Sequence, residues 1–377
     1  MSDIADLSKG IGISKDQLSA DGEPCILYGE LYTKYKSETI KEVISKTNID
    51  NTKLAKSKAN DVIIPCSGET AEEIATARCV LKDDILLGGD LNIIRLHGYD
   101  GSFMSYQLNG KRKYDIAKVA QGVSVVHLYG EHLKNIKTIN PSLNEQKKIA
   151  NLLSLLDERI STQNKIIEDL KKLRSAISKH LFERRDLLGT KIKLSKVAEL
   201  KNGYAFQSSK YNSLGEWKII TITNVTGERY IKENDCNCIL EIPNDIQKHQ
   251  KLKANDVLIS LTGNVGRVSL CTEGLFLLNQ RVGLLQLKVS EDREYIYQAL
   301  SSHKFENSMI ACAQGAAQMN IGKGDVENYI LPYSFNRKNI NVVASVLRAY
   351  DKYIINEINL QSILHIQKQY LLRQMFI

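Results

Sequence analysis

Residues 144–185 read as one long helix, and a helix of that length constrains every other part of the chain. Ile149, Leu153, Leu156, Ile160, Ile167, Leu170, Ile177 and Leu181 recur mostly at steps of three and four with charged residues between them. That spacing lays an apolar stripe along a polar rod. At about 1.5 Å per residue the rod extends roughly 60 Å, longer than a domain core is wide, so its stripe needs a partner of similar length. Asn144 is the expected N-cap behind Pro141, with Glu145 in the first turn where the helix dipole favours a negative charge. The basic pair Arg184-Arg185 closes the helix and Gly189 marks the exit. The partner lies in the same chain. Positions 194 further on, over 343–376, carry the same pattern, and Ala150, Leu153, Asp157, Ile160, Leu170 and Phe182 reappear as Ala344, Leu347, Asp351, Ile354, Leu364 and Phe376.

The repeat extends beyond the helices. Val197-Ala198-Glu199-Leu200 matches Ile4-Ala5-Asp6-Leu7, and Gly215-Glu216 matches Gly22-Glu23, both 193 positions apart. Lys253-Ala254-Asn255-Asp256-Val257 repeats residues 58–62 identically, and Ala313-Gln314-Gly315 repeats Ala120-Gln121-Gly122. Chance does not keep one register through four such landmarks, so the chain is built as domain, helix, domain, helix in two half-length copies. Short β-type runs such as Cys25-Ile26-Leu27-Tyr28, Asp61-Val62-Ile63-Ile64 and Val123-Ser124-Val125-Val126-His127-Leu128 make the domains mixed α/β.

The expected fold is therefore α/β: two mixed domains, 1–142 and 189–335, joined by long helices at 143–188 and 336–377. The helices are expected to pair as an antiparallel coiled coil about a pseudo-twofold axis. Gln163 and its counterpart Glu357 interrupt the stripe, which weakens the seam there; two readings stand side by side, a device that fixes its register and ordinary partly solvated positions. With 377 residues and 43% hydrophobic content, the chain can bury two cores of ordinary size. Nothing in the first copy matches Lys191-Ile192-Lys193, so a first strand is expected to be missing there.

A formal charge of +8 favours an acidic partner, and two globular ends on a long connector suit duplex DNA with two separated features. Lys and Arg would supply phosphate contacts, and loop amides, hydroxyls and guanidinium groups would reach base edges. The two copies diverge most in their polar loops, which is where two readers of different targets would differ. In the second domain the candidates are Thr262, Asn264, Arg267, Asn279, Gln280, Arg281, Gln318 and Asn320; in the first they are Lys111, Arg112, Lys113 and Gln121.

Other classes find little support. No window approaches the roughly 18 uninterrupted apolar residues of a membrane span, and Met1-Ser2-Asp3 opens no charged-then-apolar leader, so a cytoplasmic protein is expected. Seven scattered cysteines fit reduced thiols, and Cys236-Asn237-Cys238 is too closely spaced, and too isolated, for a zinc knuckle. Gly322-Lys323-Gly324 lacks the spacing and the following Ser or Thr of a phosphate-binding loop, and the histidines show no triad spacing. A binding module without cofactor or metal is expected. The competing class is a helical adaptor that organises an assembly without reading DNA.

The stretch Leu143-Asn144-Glu145-Gln146-Lys147-Lys148-Ile149-Ala150-Asn151-Leu152-Leu153 through Ile160 resembles the conserved helical region of type I restriction-modification specificity subunits. The Leu181-Phe182 ending and the loop from Ala313 to Ile321 are similar to other recurrent features of that family. The resemblance covers nearly the whole chain. It implies two target-recognition domains that each read half of a split, asymmetric DNA site, with helices that set the gap and dock methyltransferase subunits, two of them by the symmetry. It places Leu153, Asp157, Ile160, Leu347, Asp351 and Ile354 on the docking helices. Restriction and translocation subunits would join through the complex, and S-adenosylmethionine and ATP would belong to those partners. One departure is Arg337-Lys338-Asn339-Ile340, which stands where the first copy leads one to expect Glu and Gln.

Overall fold

The pentapeptide common to the two halves forms the same turn twice in the computed structural model, which describes residues 1–122, 125–314 and 318–376. Val123 and Ser124, the start of one expected strand, and Gly315 of the repeated Ala-Gln-Gly loop lie outside the described residues. In each turn an asparagine takes the left-handed conformation that its side chain tolerates, Asn60 at φ 81° and Asn255 at φ 66°. The following carboxylate closes the turn: Asp61 accepts from the Lys58 N–H and Asp256 from the Lys253 N–H, both at 2.8 Å. The chain is thereby aimed into the third strand of a sheet.

Two compact units result, one of Met1–Lys165 with Ile358–Ile377, the other of Ile166–Glu357. The main sheet of the first consists of β1 (Ala5–Lys9), β2 (Thr39–Ile40), β3 (Asp61–Pro65), β4 (Arg78–Val80) and β5 (Leu91–Leu96), in the order β1-β5-β3-β4-β2. That of the second consists of β6 (Ala198–Asn202), β7 (Val257–Ser260), β8 (Val268–Leu270) and β9 (Val282–Leu287), in the order β6-β9-β7-β8. Registers repeat as well. Ala5 faces Leu96 as Ala198 faces Leu287, and Leu91 faces Pro65 as Val282 faces Ser260. A parallel bridge from Tyr230 to Leu270 stands where β2 pairs with β4 in the first unit.

Both central strands are apolar without alternation because both of their faces are covered. Val62 and Ile64 pack with Met104, Leu108 and Ile116, whereas Ile63 between them packs with Ile26, Leu31 and Leu87 from the other side. Val257 and Ile259 likewise face Tyr295, Ile296 and Leu300, while Leu258 joins Ile220, Phe276 and Leu278.

Two helices, α1 (Leu143–Glu183) and α2 (Arg337–Gln374), account for the long stripes. The cap of α1 is Ser142, one residue before the helix and two before the expected Asn144. Its backbone N–H and hydroxyl both donate to the Glu145 carboxylate, and the Glu145 N–H returns a bond to the Ser142 hydroxyl. Ser142 and Glu145 thus form the reciprocal Ser-x-x-Glu box, which holds a helix start better than an isolated asparagine. Within the first unit the start of α1 meets the end of α2: Ala150 and Leu153 share a cluster with Leu372, Phe376, Phe103 and Tyr106. Within the second, Leu181 near the end of α1 joins Ile340, Val343, Ala344 and Leu347 at the start of α2. The pairing is antiparallel in both. Phe376 meets Phe103 at 5.3 Å between ring centroids, and its repeat mate Phe182 meets Tyr295 at 5.8 Å. Burying such a ring contributes on the order of 2–3 kcal/mol.

The second unit has a two-stranded ladder, Thr190–Lys193 with Ile330–Tyr333, that has no counterpart among the described residues of the first. The Met1 ammonium instead donates to the carbonyls of Lys134 and Ile136, as the Leu194 N–H donates to Tyr329. Among the described residues no helix is long and apolar enough to cross a membrane, and no cluster of metal-ligating side chains occurs.

Candidate nucleic-acid interface

Beyond β7 the second unit gathers three distant segments into a short backbone ladder. The Leu261 N–H donates to Arg281 O at 3.0 Å, and the Ile321 N–H donates to Leu261 O at 2.9 Å. Thr262 bridges Asn320, and the Gly263 N–H reaches Met319 O at 3.0 Å. Gly263 and Gly266 turn this loop at φ 70° and 78°, a region closed to most side chains. On the far side the Tyr204 N–H donates to Leu278 O and the Gln280 N–H to Tyr204 O, so a fourth segment joins the edge.

Seven of the eight expected contact residues of this unit therefore share one edge: Thr262 and Asn264 on one segment, Asn279, Gln280 and Arg281 on the next, Gln318 and Asn320 on the third. Asn264, Gln280, Arg281, Gln318 and Asn320 are exposed. Asn279 is buried, and its Oδ1 accepts from the Arg281 N–H at 3.1 Å, which stiffens the turn. Thr262 Oγ1 is buried with no hydrogen-bond partner among the described residues. Arg267 differs from the rest. Its guanidinium turns to Glu306 at 3.4 Å on the helix His303–Ala313.

The first unit builds the same ladder. The Cys66 N–H donates to Asp90 O and the Leu128 N–H to Cys66 O, both at 2.7 Å; Ser67 faces His127 as Thr262 faces Asn320; and the Ile11 N–H donates to Leu87 O as Tyr204 does to Leu278. Ser67, Glu69, Asp90 and His127 thus stand where Thr262, Asn264, Arg281 and Asn320 stand in the second unit. Sequence reasoning missed these four. Aligning the two copies loop by loop is the signal that finds them, with separations of 195 for Ser67 and Glu69, 191 for Asp90 and 193 for His127. Gln121 does belong here, exposed and paired through both backbone groups with His127.

Lys111, Arg112 and Lys113 lie elsewhere. They follow Gly110, which is so close to the Leu372 carbonyl of α2 that an added Cβ would sit 2.9 Å from it. The helix Lys113–Val119 separates them from Gln121. Arg112 pairs with Asp115 at 3.4 Å, and Lys113 is partly buried, so desolvation and the neighbouring Arg78 lower its ammonium pKa. They are poorer candidates for phosphate contact than their sequence clustering suggests, because the fold has already given two of them partners or cover.

The six helix residues are inside the molecule. Leu153 and Leu347 are fully buried, Ile160 and Ile354 nearly so, and both aspartates sit in ion-pair clusters. The helix surface left to solvent is instead marked by Leu152 and Leu155 in the first unit and by Val346, the repeat mate of Leu152, in the second.

Two copies of one scaffold carrying different polar side chains at matched places are now in view, and comparison with known proteins places them. The family model of the type I restriction modification DNA specificity domain matches residues 1–172 and again 190–364, one match on each copy of the repeat. The chain belongs to this family. The type I restriction enzyme MjaVIII specificity subunit of Methanocaldococcus jannaschii is 26% identical to this specificity chain over 357 residues, covering 87% of it and 80% of that protein. Among solved structures, the S subunit of a type I restriction-modification system from M. genitalium matches with a TM-score of 0.63 at 17% identity, covering 100% of this chain and 94% of that one. A structure reported for complex assembly and conformational transition of the type I restriction-modification system matches at 0.58 and 14% identity, over 98% and 95% of the two chains. At such identities these two likenesses are of fold.

Proposed function

We propose that this specificity chain addresses a type I restriction-modification complex to a bipartite, asymmetric duplex site, one unit reading each half. The observation that carries the reading is the duplicated ladder. A recogniser of one symmetric site would keep the same side chains at the matched places, whereas this chain keeps the backbone bonds and changes Thr262 to Ser67, Asn264 to Glu69, Arg281 to Asp90 and Asn320 to His127. Backbone positions set by a rigid sheet with freely varied side chains are what base discrimination requires. Lysines and arginines of the basic chain would supply sequence-independent affinity through phosphates.

In the same reading two methyltransferase subunits dock on the exposed faces of α1 and α2, and restriction subunits join through them. Adenine methylation and ATP-dependent cleavage then belong to the partners, and this chain acts without a cofactor. The test is to co-purify the chain with its methyltransferase and map the adenines methylated in genomic DNA. A split motif of fixed gap supports the proposal. Methylation that does not depend on this chain, with the methyltransferase active, overturns it in favour of a helical adaptor.

A further inference from the structure

Arg281 and Asp90 occupy one place in the two copies. Each offers its carbonyl to the first residue beyond the central strand, Arg281 to Leu261 at 3.0 Å and Asp90 to Cys66 at 2.7 Å, and each is the last residue of the turn entering β9 or β5. Both are exposed. The guanidinium of Arg281 makes no ion pair or hydrogen bond among the described residues, whereas those of Arg174, Arg229 and Arg267 are all engaged by carboxylates in the same unit. The Arg281 backbone, by contrast, is tied down through the Asn279 side chain and Leu261. An anchored base with an open planar fork is suited to one rigid target that offers two adjacent acceptors.

Resting on the DNA-reading assignment above, we infer that Arg281 reads a guanine in the half-site of the second unit and that Asp90 bars that reading at the matching place in the first. The O6 and N7 of guanine present two acceptors in the major groove, which match the guanidinium fork in a bidentate pair. A carboxylate offers only acceptors and a negative charge, so at the same place it repels that edge and favours an exocyclic amino group of cytosine or adenine. The two halves of the site then differ in base chemistry at structurally equivalent positions.

The experiment uses the full chain assembled with its methyltransferase, and compares genomic methylation motifs for the wild type, Arg281→Ala, Arg281→Lys and Asp90→Ala. Arg281→Ala is expected to relax a single guanine position in one half by about tenfold to a hundredfold, with the other half and the gap unchanged. Arg281→Lys retains part of the preference, and Asp90→Ala alters only the opposite half. In a synthetic duplex, 7-deazaguanine at that position weakens binding by the wild type and has no further effect on Arg281→Ala. Uniformly weaker methylation with an unchanged motif makes Arg281 a phosphate contact and overturns the inference alone. Absence of any split motif in the wild type overturns the DNA-reading assignment and this inference with it.

Discussion

The Lys368 ammonium lies 2.6 Å from Asp157, and both side chains are buried in the first unit. In the second unit Arg174 lies 3.0 Å from Asp351. Asp157 and Asp351 are repeat mates 194 positions apart, and so are Arg174 and Lys368. One ion pair is therefore built twice with its partners exchanged: α1 gives the acid and α2 the base in the first unit, and the reverse holds in the second. The surroundings differ in sign. Glu38 adds a carboxylate 2.6 Å from Lys368, whereas Arg229, whose carbonyl accepts from Leu270 as that of Glu38 does from Cys79, adds a guanidinium 2.8 Å from Asp351.

Removing Lys368 leaves two buried carboxylates, Glu38 and Asp157, without their shared cation, whereas removing Asp157 leaves the Glu38–Lys368 pair. Asp157 also accepts from the Tyr106 hydroxyl at 2.7 Å and from Ser37 at 3.1 Å, so Asp157→Ala orphans the tyrosine hydroxyl while Lys368 keeps Glu38. Lys368→Met is expected to cost about 3–5 kcal/mol in urea denaturation and Asp157→Ala about 1–3 kcal/mol, with the double variant less than the sum. Strictly additive losses would show that the two side chains are not coupled.

Acid should weaken the second unit through Glu294. Burial alone would raise this carboxyl, but hydrogen bonds from Arg229 at 2.6 Å and Gln298 at 2.9 Å hold it below its ordinary 4.5. A depressed folded-state value means that the unfolded chain binds the proton first. The stabilisation is thus fully present above about pH 4.5 and is lost as pH falls through the lower folded value. Denaturation midpoints followed from pH 7 to 3 should fall less steeply in Glu294→Gln than in the wild type; parallel curves would remove Glu294 from the acid response.

The repeated turn gives a matched pair of substitutions. Asn60 bonds Tyr99 O at 2.8 Å and accepts from the Gly101 N–H, whereas the Asn255 side chain has no such partners among the described residues. Glycine adopts the left-handed conformation freely, so Asn255→Gly should change stability by no more than about 0.5 kcal/mol, and Asn60→Gly should cost about 1–2 kcal/mol. Equal losses in thermal or urea melts would mean that the backbone turn, not the side-chain bonds, decides.

The proposed docking of methyltransferase on the helices makes a further demand. Leu152 and Val346 are matched positions that remain 48% and 36% exposed, so Leu152→Asp and Val346→Asp should leave the melting temperature within a degree or two while reducing co-purified methyltransferase severalfold. Full retention of the partner in both variants would move the docking surface off these faces.

Much of the candidate edge of the second unit was legible because its residues are amides, hydroxyls and arginine in obvious loops between apolar strands. The first was not, since Ser67, Glu69, Asp90 and His127 form no basic cluster, and the basic run 111–113 drew attention to a turn that packs against α2. Asp157 and Asp351 were visible as repeated residues, but their cations were not, because a charge 17 positions along a helix gives no local sign of which carboxylate it will meet.

By itself the sequence determined the doubling of the chain, the two long helices and the mixed strands between them. These rest on periodicities of a few residues and on a register that survives substitution. Only the tertiary structure decided which loops share an edge and which acid meets which base. The bonds from Leu261 to Arg281 and Ile321, and the pair from Asp157 to Lys368 more than 200 residues away, depend on strand order and on antiparallel helix pairing, and no local run of residues records either.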